Sequence, residues 1–141
     1  MRYPNEQSMV NALSAFLTSR VGPVRCREVT YEFDYRSGRT DLVGLGHQNS
    51  LHAFEAKLLK WRDALQQAWR NTCFAHYCYV ALPELTAKAA LRGRHEFERH
   101  GVGLIVLSHH GAKLAIPPRR NTPLLPWLTK AALSGFTSRT G

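Results

Sequence analysis

The stretch from Arg39 to Leu58 decides how this chain is organised: it reads RTDLVGLG, then HQNS, then LHAFEAKL. Two apolar-rich runs flank a polar turn, and this pattern predicts a β-hairpin. Because side chains alternate along a strand, Glu55 and Lys57 point to the same face. Asp41 returns beside them if a loop of about three to five residues sets it opposite position 55 or 57. A tighter turn would place it on the other face.

Two carboxylates and an ammonium group at one place predict a site for a divalent cation. Mg²⁺ is commonly held by one or two carboxylates, while water and substrate phosphates complete its shell. Asp41 and Glu55 would supply the carboxylates, and the backbone carbonyl of Ala56 a further oxygen. Lys57 would stabilise the negative charge that develops when a metal-activated water attacks a phosphodiester. The predicted reaction is therefore phosphodiester hydrolysis.

A plainer interpretation makes the same charges a salt-bridge cluster on a solvent-facing sheet surface, where charged residues of strands commonly lie. The neighbouring residues Leu42, Val43, Phe54 and Leu58 are apolar. They predict that both faces of the strand pair are covered. Charged groups are costly in such surroundings, which favours a chemical role for them.

The composition predicts one globular domain with a polyanionic partner. The chain has 141 residues, 44% of them hydrophobic, and a formal net charge of +9. That length and apolar content suit a single packed core, and the positive charge favours DNA, RNA or an anionic membrane surface. No apolar run is long enough to span a bilayer, and the first residues lack the apolar segment of a secretory signal.

The three cysteines, Cys26, Cys73 and Cys78, form no CxxC pair. A disulfide scaffold is therefore not expected, and a reducing cytoplasm is the expected location. Cys73, His76 and Cys78 are close enough in sequence to raise a zinc site as an alternative, although no fourth ligand is evident. Two buried thiols near the start of a strand are the ordinary interpretation.

Hydrophobic periodicity and turn residues give the order of the elements. They predict a helix over 5–19 with Asn5 as N-cap, a strand over 24–35, the two hairpin strands, a helix reaching about residue 74, a strand over 76–82, a helix over 84–100, strands over 102–107 and 111–116, and a terminal helix over 123–134. This order predicts an α/β fold with a mixed central sheet of five to six strands flanked by helices. Residues 1–116 would form the core, and 117–141 a Pro/Arg connector with a short helix.

The helix after the hairpin is amphipathic. Trp61 and Trp69 lie on its apolar stripe and are expected in the core. Gln66, Gln67 and Asn71 belong to the opposite, polar face, which is expected to be solvated.

Asp41, the Glu55-Ala-Lys57 run on the following strand and the helix with its glutamines together resemble the PD-(D/E)xK nuclease superfamily. The resemblance covers about residues 5–107 and implies a restriction-endonuclease-like core. It implies cleavage of DNA, less often RNA, with Mg²⁺ or Mn²⁺ bound by Asp41 and Glu55, and with Lys57 as the catalytic lysine. Glu6 matches an acid that many members carry on the first helix.

Two further details of the resemblance concern single positions. Some subgroups carry a glutamine on the helix after the lysine, for which Gln67 is the choice and Gln66 the rival. Thr40 stands where a proline often precedes the aspartate, at a position that varies widely in the superfamily.

Basic residues predict the path of the nucleic acid. Arg36 and Arg39 flank the mouth of the hairpin, and the other candidates for phosphate contacts are Lys60, Arg92, Arg94, Arg119 and Arg120. A merely solvated helix face is the alternative for them, but few acids lie near enough to balance their charge. The apolar tail from Leu124 to Leu133 is a candidate homodimer surface, or else it caps the domain.

The expected function is that of an Mg²⁺-dependent endonuclease acting on DNA. The first alternative is a non-cleaving DNA-binding or scaffold module of the same fold. The second is a zinc-stabilised RNA-binding module that uses Cys73, His76 and Cys78.

Overall fold

The computed structural model describes residues 3–19, 22–35 and 38–140, with side chains up to residue 136 in the last helix. Its elements, in chain order, are α1 (Glu6–Thr18), β1 (Glu28–Tyr35), β2 (Gly38–Leu45), β3 (Leu51–Ala56), α2 (Trp61–Arg70), β4 (Tyr77–Pro83), α3 (Glu84–Arg92), α4 (Arg94–His100), β5 (Gly103–Ser108), β6 (Gly111–Ile116) and α5 (Pro126–Thr140). Short 3₁₀ turns cover His47–Asn49 and Asn71–Cys73. The predicted α/β class is confirmed.

All six strands form one sheet in the order in which they occur along the chain. β1, β2 and β3 are antiparallel neighbours, β3, β4 and β5 run parallel, and β6 returns antiparallel to β5. The mixed sheet is thus confirmed, and the apolar strand β5 lies inside it, parallel to β4. Because β3, β4 and β5 are parallel, their carboxyl ends lie along the same edge of the sheet.

The first helix begins where the sequence predicts. Asn5 caps it. Its side-chain oxygen accepts a hydrogen bond from the Ser8 amide at 2.8 Å, and the Ser8 hydroxyl oxygen accepts one from the Asn5 backbone amide. The buried face of α1, which includes Leu13 and Leu17, packs in one core cluster with Phe54 of β3. This packing holds the first turn of α1, where Glu6 lies, beside the end of the hairpin.

Three predicted elements differ in their bounds from the structure. The segment 84–100 is two helices rather than one, and it breaks at Gly93. Gly93 lies against the Trp61 ring so closely that an added Cβ would come within 2.7 Å of it. The last helix is longer than the predicted 123–134. The strand predicted over 24–35 begins only at Glu28.

The two tryptophans of α2 have different environments. Trp61 is buried as expected and stacks on Phe97, with the ring centroids 5.7 Å apart. Trp69 is 50% exposed, so the prediction that it lies in the core is wrong. Its ring lies against His100 at the end of α4, which leaves much of it in solvent.

The C-terminal helix caps the core on the side of the hairpin. Leu128 and Phe136 of α5 are buried in a cluster with Val43 and Phe74. Trp127, on the other side of the helix, is 62% exposed. The capping interpretation is therefore correct for the inner face of α5, while the homodimer surface stays a prediction. Within the described residues, no helix has the length and apolar character needed to cross a membrane.

Replacing Gly93 with alanine tests the close packing of the helix break on Trp61. The added methyl group must displace the indole or the Glu96 side chain, so we expect a loss of about 1–3 kcal/mol in the free energy of unfolding. Urea denaturation measures it. Gly135→Ala is the matched control, because a Cβ there meets no atom within 4 Å and alanine favours a helix by about 0.5–1 kcal/mol. Equal effects of the two changes would contradict the packing account.

Candidate active site

The register of the hairpin brings the two acids together. Leu42 lies opposite Phe54 and Val43 opposite Ala53, so the next step of the ladder sets position 41 opposite position 55. The connection from Gly46 to Ser50 falls in the predicted range of loop lengths. The Ala56 amide donates a hydrogen bond to Asp41 Oδ2 at 3.0 Å, which fixes the aspartate across the strand pair. The predicted register is confirmed.

A pocket of about 400 Å³ opens at the carboxyl end of β3, between the first turn of α1, the start of β2 and α2. Its lining residues are Glu6, Gly38, Arg39, Asp41, Glu55, Ala56, Lys57, Asp63, Ala64 and Gln67. Every residue that the sequence predicted for catalysis or metal binding belongs to this lining. Ligands commonly bind at this edge of a sheet, outside the carboxyl ends of parallel strands.

The two carboxyl groups lie beside each other, that of Glu55 buried and that of Asp41 half-buried. Glu55 is only 5% exposed, and burial, followed by the charge of Asp41, raises its pKa to about 8. Burial also raises the pKa of Asp41; the charge of Glu6 acts in the same direction, whereas the Ala56 amide and Lys57 act against it. Proton binding is thus favoured because two negative charges in this place repel each other and are poorly hydrated. A bound cation would relieve the same cost.

Lys57 and Glu6 form the outer part of the site. The Lys57 ammonium nitrogen is 3.9 Å from Glu6 Oε1, and both side chains are partly exposed. Glu6 Oε2 accepts a hydrogen bond from the Leu58 amide at 3.2 Å. Glu6 therefore ties the start of α1 to the segment after β3 and balances the lysine charge at the mouth of the pocket.

Of the two glutamines, Gln67 is the one that lines the pocket, whereas Gln66 is exposed. Gln67 Nε2 donates to the Arg39 carbonyl at 2.7 Å, so the side chain joins α2 to the start of β2. Asp63 lies one helical turn earlier on the same stripe and was missed by the sequence reasoning. Its spacing of four residues from Gln67 was the signal that could have found it.

A second residue that was missed is Asn71. It was expected on the solvated face of the helix, but it is completely buried, and its Nδ2 donates to Glu55 Oε2 at 2.8 Å. The prediction was wrong because α2 ends at Arg70, where the chain tightens into a 3₁₀ turn that directs Asn71 inward. Helical periodicity carried past Arg70 gives no sign of this change.

The side chains of the pocket that suit a divalent cation are one pair of carboxylates. Among the described residues, no group of three or more His, Cys, Asp or Glu side chains is arranged to hold a metal ion. Asp41 and Glu55 remain, and two carboxylates are what Mg²⁺ commonly takes from a protein when phosphate and water supply the rest. A bound ion would neutralise the repulsion between these two acids. Ala56, which also lines the pocket, is the third candidate donor.

The zinc alternative finds no support in the positions of its residues. Cys73, His76 and Cys78 are all described and do not form a metal-holding group. His76 Nδ1 accepts a hydrogen bond from the Leu51 amide at 2.9 Å, and Cys78 is fully buried in the apolar cluster beneath α5. The ordinary interpretation of buried thiols therefore holds for Cys78.

The basic residues predicted to contact nucleic acid differ in the contacts that they make within the protein. Arg39 lines the pocket but forms exposed ion pairs with Glu32 at 2.9 Å and Asp34 at 3.1 Å. Exposed pairs of this kind are weak enough to exchange for a phosphate. Arg36 lies outside the described residues. Lys60 is exposed immediately before α2.

Farther along the chain, Arg92 and Arg94 are exposed on either side of the Gly93 break. Arg119 Nη1 donates to the Glu98 carbonyl at 2.7 Å and so gives a hydrogen-bond partner to one of the last carbonyls of α4. The Arg120 guanidinium lies 5.6 Å from the centre of the Tyr77 ring. Arg119 thus has a structural function that its position in sequence did not indicate, and nucleic-acid contact by these four arginines stays a prediction.

Comparisons with known proteins bear on the fold alone. No family model matches this chain, and no curated protein matches it. Among solved structures, a protein of unknown function from Silicibacter pomeroyi is similar, with a TM-score of 0.59 and 17% identity over 79% of this chain and 73% of that chain. The likeness supports the α/β class and assigns no activity.

The pKa of Glu55 predicts how stability depends on pH in metal-free buffer. Its pKa rises on folding from an ordinary value of 4.5 to about 8, so over that range the folded protein keeps a proton that the unfolded chain releases. The free energy of unfolding should therefore fall as the pH rises from about 5 to about 8. Glu55→Gln should flatten this slope and be more stable than the native chain above pH 8, by on the order of 2 kcal/mol.

Denaturant titrations at several pH values, with a chelator present, provide the measurement. Glu84→Gln is the control, since Glu84 is an exposed acid on α3 and its replacement should leave the slope unchanged. If Glu55→Gln kept the slope of the native chain, the account of a strained carboxyl pair would be wrong.

Proposed function

We propose that the chain is a metal-dependent nuclease of the PD-(D/E)xK type, which hydrolyses phosphodiester bonds of DNA with Mg²⁺ or Mn²⁺. The observation that carries the proposal is the pair of acids, buried Glu55 and half-buried Asp41, that lie side by side at the carboxyl end of β3. Burial raises the pKa of both carboxyl groups, and the charge of Asp41 raises that of Glu55 further; acids held at such a cost indicate a functional site. Binding a cation and a phosphate accounts for both.

Each residue of the pocket has a proposed part in the reaction. Asp41 and Glu55 would hold the ion, which when bound supplies a polarised phosphoryl oxygen and an acidified water. Lys57, at the mouth of the pocket, would stabilise the charge that accumulates on the phosphoryl oxygens. Glu6 holds the lysine near the pocket through the ion pair between them. Gln67 keeps α2 against the start of β2, which carries Asp41.

The net charge of the chain indicates the class of its binding partner. A net charge of +9 on 141 residues favours a polyanion, and DNA is the proposed substrate, with RNA as the other polyanion that fits. Phosphate contacts by Arg39, Lys60, Arg92 and Arg94 would guide the backbone toward the pocket. A non-cleaving module that binds DNA through the same surface is the rival function, and the variants below separate the two.

Isosteric variants of the site test cleavage. We expect Asp41→Asn, Glu55→Gln and Lys57→Met each to lower the rate of Mg²⁺- or Mn²⁺-dependent cutting by about 100-fold or more, because each removes charge on which the transition state depends. Plasmid, linear, branched and single-stranded DNA are assayed in parallel, together with RNA. DNA affinity should change by only a few fold, as measured by fluorescence anisotropy.

Lys113→Met is the control for the lysine change, because Lys113 is exposed on β6. It should cut like the native chain. Metal-dependent cutting that is equal in the native chain and all three site variants would contradict the proposed function. Binding without any cutting on every substrate would favour the non-cleaving module.

Salt dependence tests the basic surface. If Arg92 and Arg94 contact phosphates, the double change Arg92→Gln with Arg94→Gln should reduce the slope of log K against log salt by about 1–2. Arg119→Gln should instead lower the unfolding temperature, since it removes the hydrogen bond to the Glu98 carbonyl at the end of α4. A slope unchanged by the double variant would exclude those two arginines from the interface.

A further inference from the structure

Behind the acidic pair lies a small network of buried polar side chains centred on Asn71. Its Nδ2 donates to Glu55 Oε2 at 2.8 Å. Its Oδ1 accepts two hydroxyl groups, that of Tyr35 at 2.6 Å and that of Thr40 at 2.9 Å. Asn71 and Thr40 are both completely buried. Four segments thus meet at one amide: the end of β1, the start of β2, the end of β3 and the turn after α2.

The Glu55 carboxylate determines which way the amide faces. It only accepts hydrogen bonds, so the amide nitrogen points at it and Oδ1 points away. The hydroxyl groups of Tyr35 and Thr40 donate to that oxygen. Tyr35 and Thr40 therefore hold the Asn71 side chain in the place from which it donates to Glu55.

We infer that Asn71, oriented by Tyr35 and Thr40, is a positioning residue that fixes the Glu55 carboxyl group for a divalent cation. The inference rests on the proposed function, since it assigns a supporting group to the same site. The hydrogen bond engages Oε2 and leaves Oε1 for the ion. Partners that orient metal-binding carboxylates in this way commonly change metal affinity or activity by about 10- to 100-fold when they are removed.

The location of the network favours this role over a purely structural one. The Asn71 side chain donates to a residue that lines the pocket, while its backbone carbonyl accepts from the Phe74 and Ala75 amides of the turn. Thr40 adjoins Asp41 in sequence, and Tyr35 lies close to Gly38, which also lines the pocket. Replacing Asn71 would leave the partners of its side chain, including the Glu55 carboxyl group, without it, so metal binding rather than stability is the property that tests its role.

Mn²⁺ binding by the full chain tests the inference, with free Mn²⁺ measured by electron paramagnetic resonance. Asn71→Ala should raise the concentration of Mn²⁺ for half-saturation by about 10- to 100-fold. Tyr35→Phe and Thr40→Val leave Asn71 in place but remove the groups that orient it, so they should shift the half-saturation point in the same direction by less. In cleavage assays, the Mn²⁺ requirement should rise more than the maximal rate falls.

Thr129→Val is the matched control. It removes another buried hydrogen bond, from the Thr129 hydroxyl to the Phe74 carbonyl at 2.8 Å, and so lowers stability away from the pocket. Its Mn²⁺ half-saturation should equal that of the native chain. If Tyr35→Phe, Thr40→Val and any folded Asn71→Ala protein also bind Mn²⁺ like the native chain, the inference is wrong and the proposed function stands. A native chain that binds no Mn²⁺ would overturn both.

Discussion

The placing of two acids at the same step of a hairpin, one buried and one half-buried, is the constraint on which the rest of this structure depends. Asp41 and Glu55 come together only because β2 and β3 pair in a register that sets them opposite each other. A slip by one residue would send one of them to the other face of the sheet. The apolar and small residues that accompany them on the two strands are buried, so the cost of a wrong register is high. The hydrophobic pattern of the hairpin therefore also places the acids.

The other elements complete the pocket rather than merely covering the sheet. α1 brings Glu6 to its edge, α2 contributes Gln67 and Asp63, and the turn after α2 places Asn71 behind Glu55. Parallel pairing of β3 with β4 and β5 leaves the carboxyl ends of these strands on one open edge. The result is an acidic pocket in a strongly basic chain, an arrangement in which a cation would join the protein to a phosphate.

Much of this could be read from sequence because it depends on local patterns. Alternation on short strands and the Asn5 cap predicted the hairpin and the start of α1, whereas the register depended on a loop length that only the structure gives. What could not be read depends on contacts between distant segments. The break at Gly93 arises from the approach of the Trp61 ring, and the exposure of Trp69 from the way α4 ends beside it. Asn71 was misplaced because periodicity does not reveal where an α-helix tightens into a 3₁₀ turn.

The central claim is that Asp41 and Glu55 together bind one divalent cation, and anomalous diffraction from crystals grown with Mn²⁺ tests it most directly. The account predicts one strong anomalous peak between the two carboxyl groups, within coordination distance of an oxygen of each, and its loss in Glu55→Gln crystals. A pocket without anomalous density at saturating Mn²⁺, or a peak at His76 and Cys73 in its place, would contradict the account.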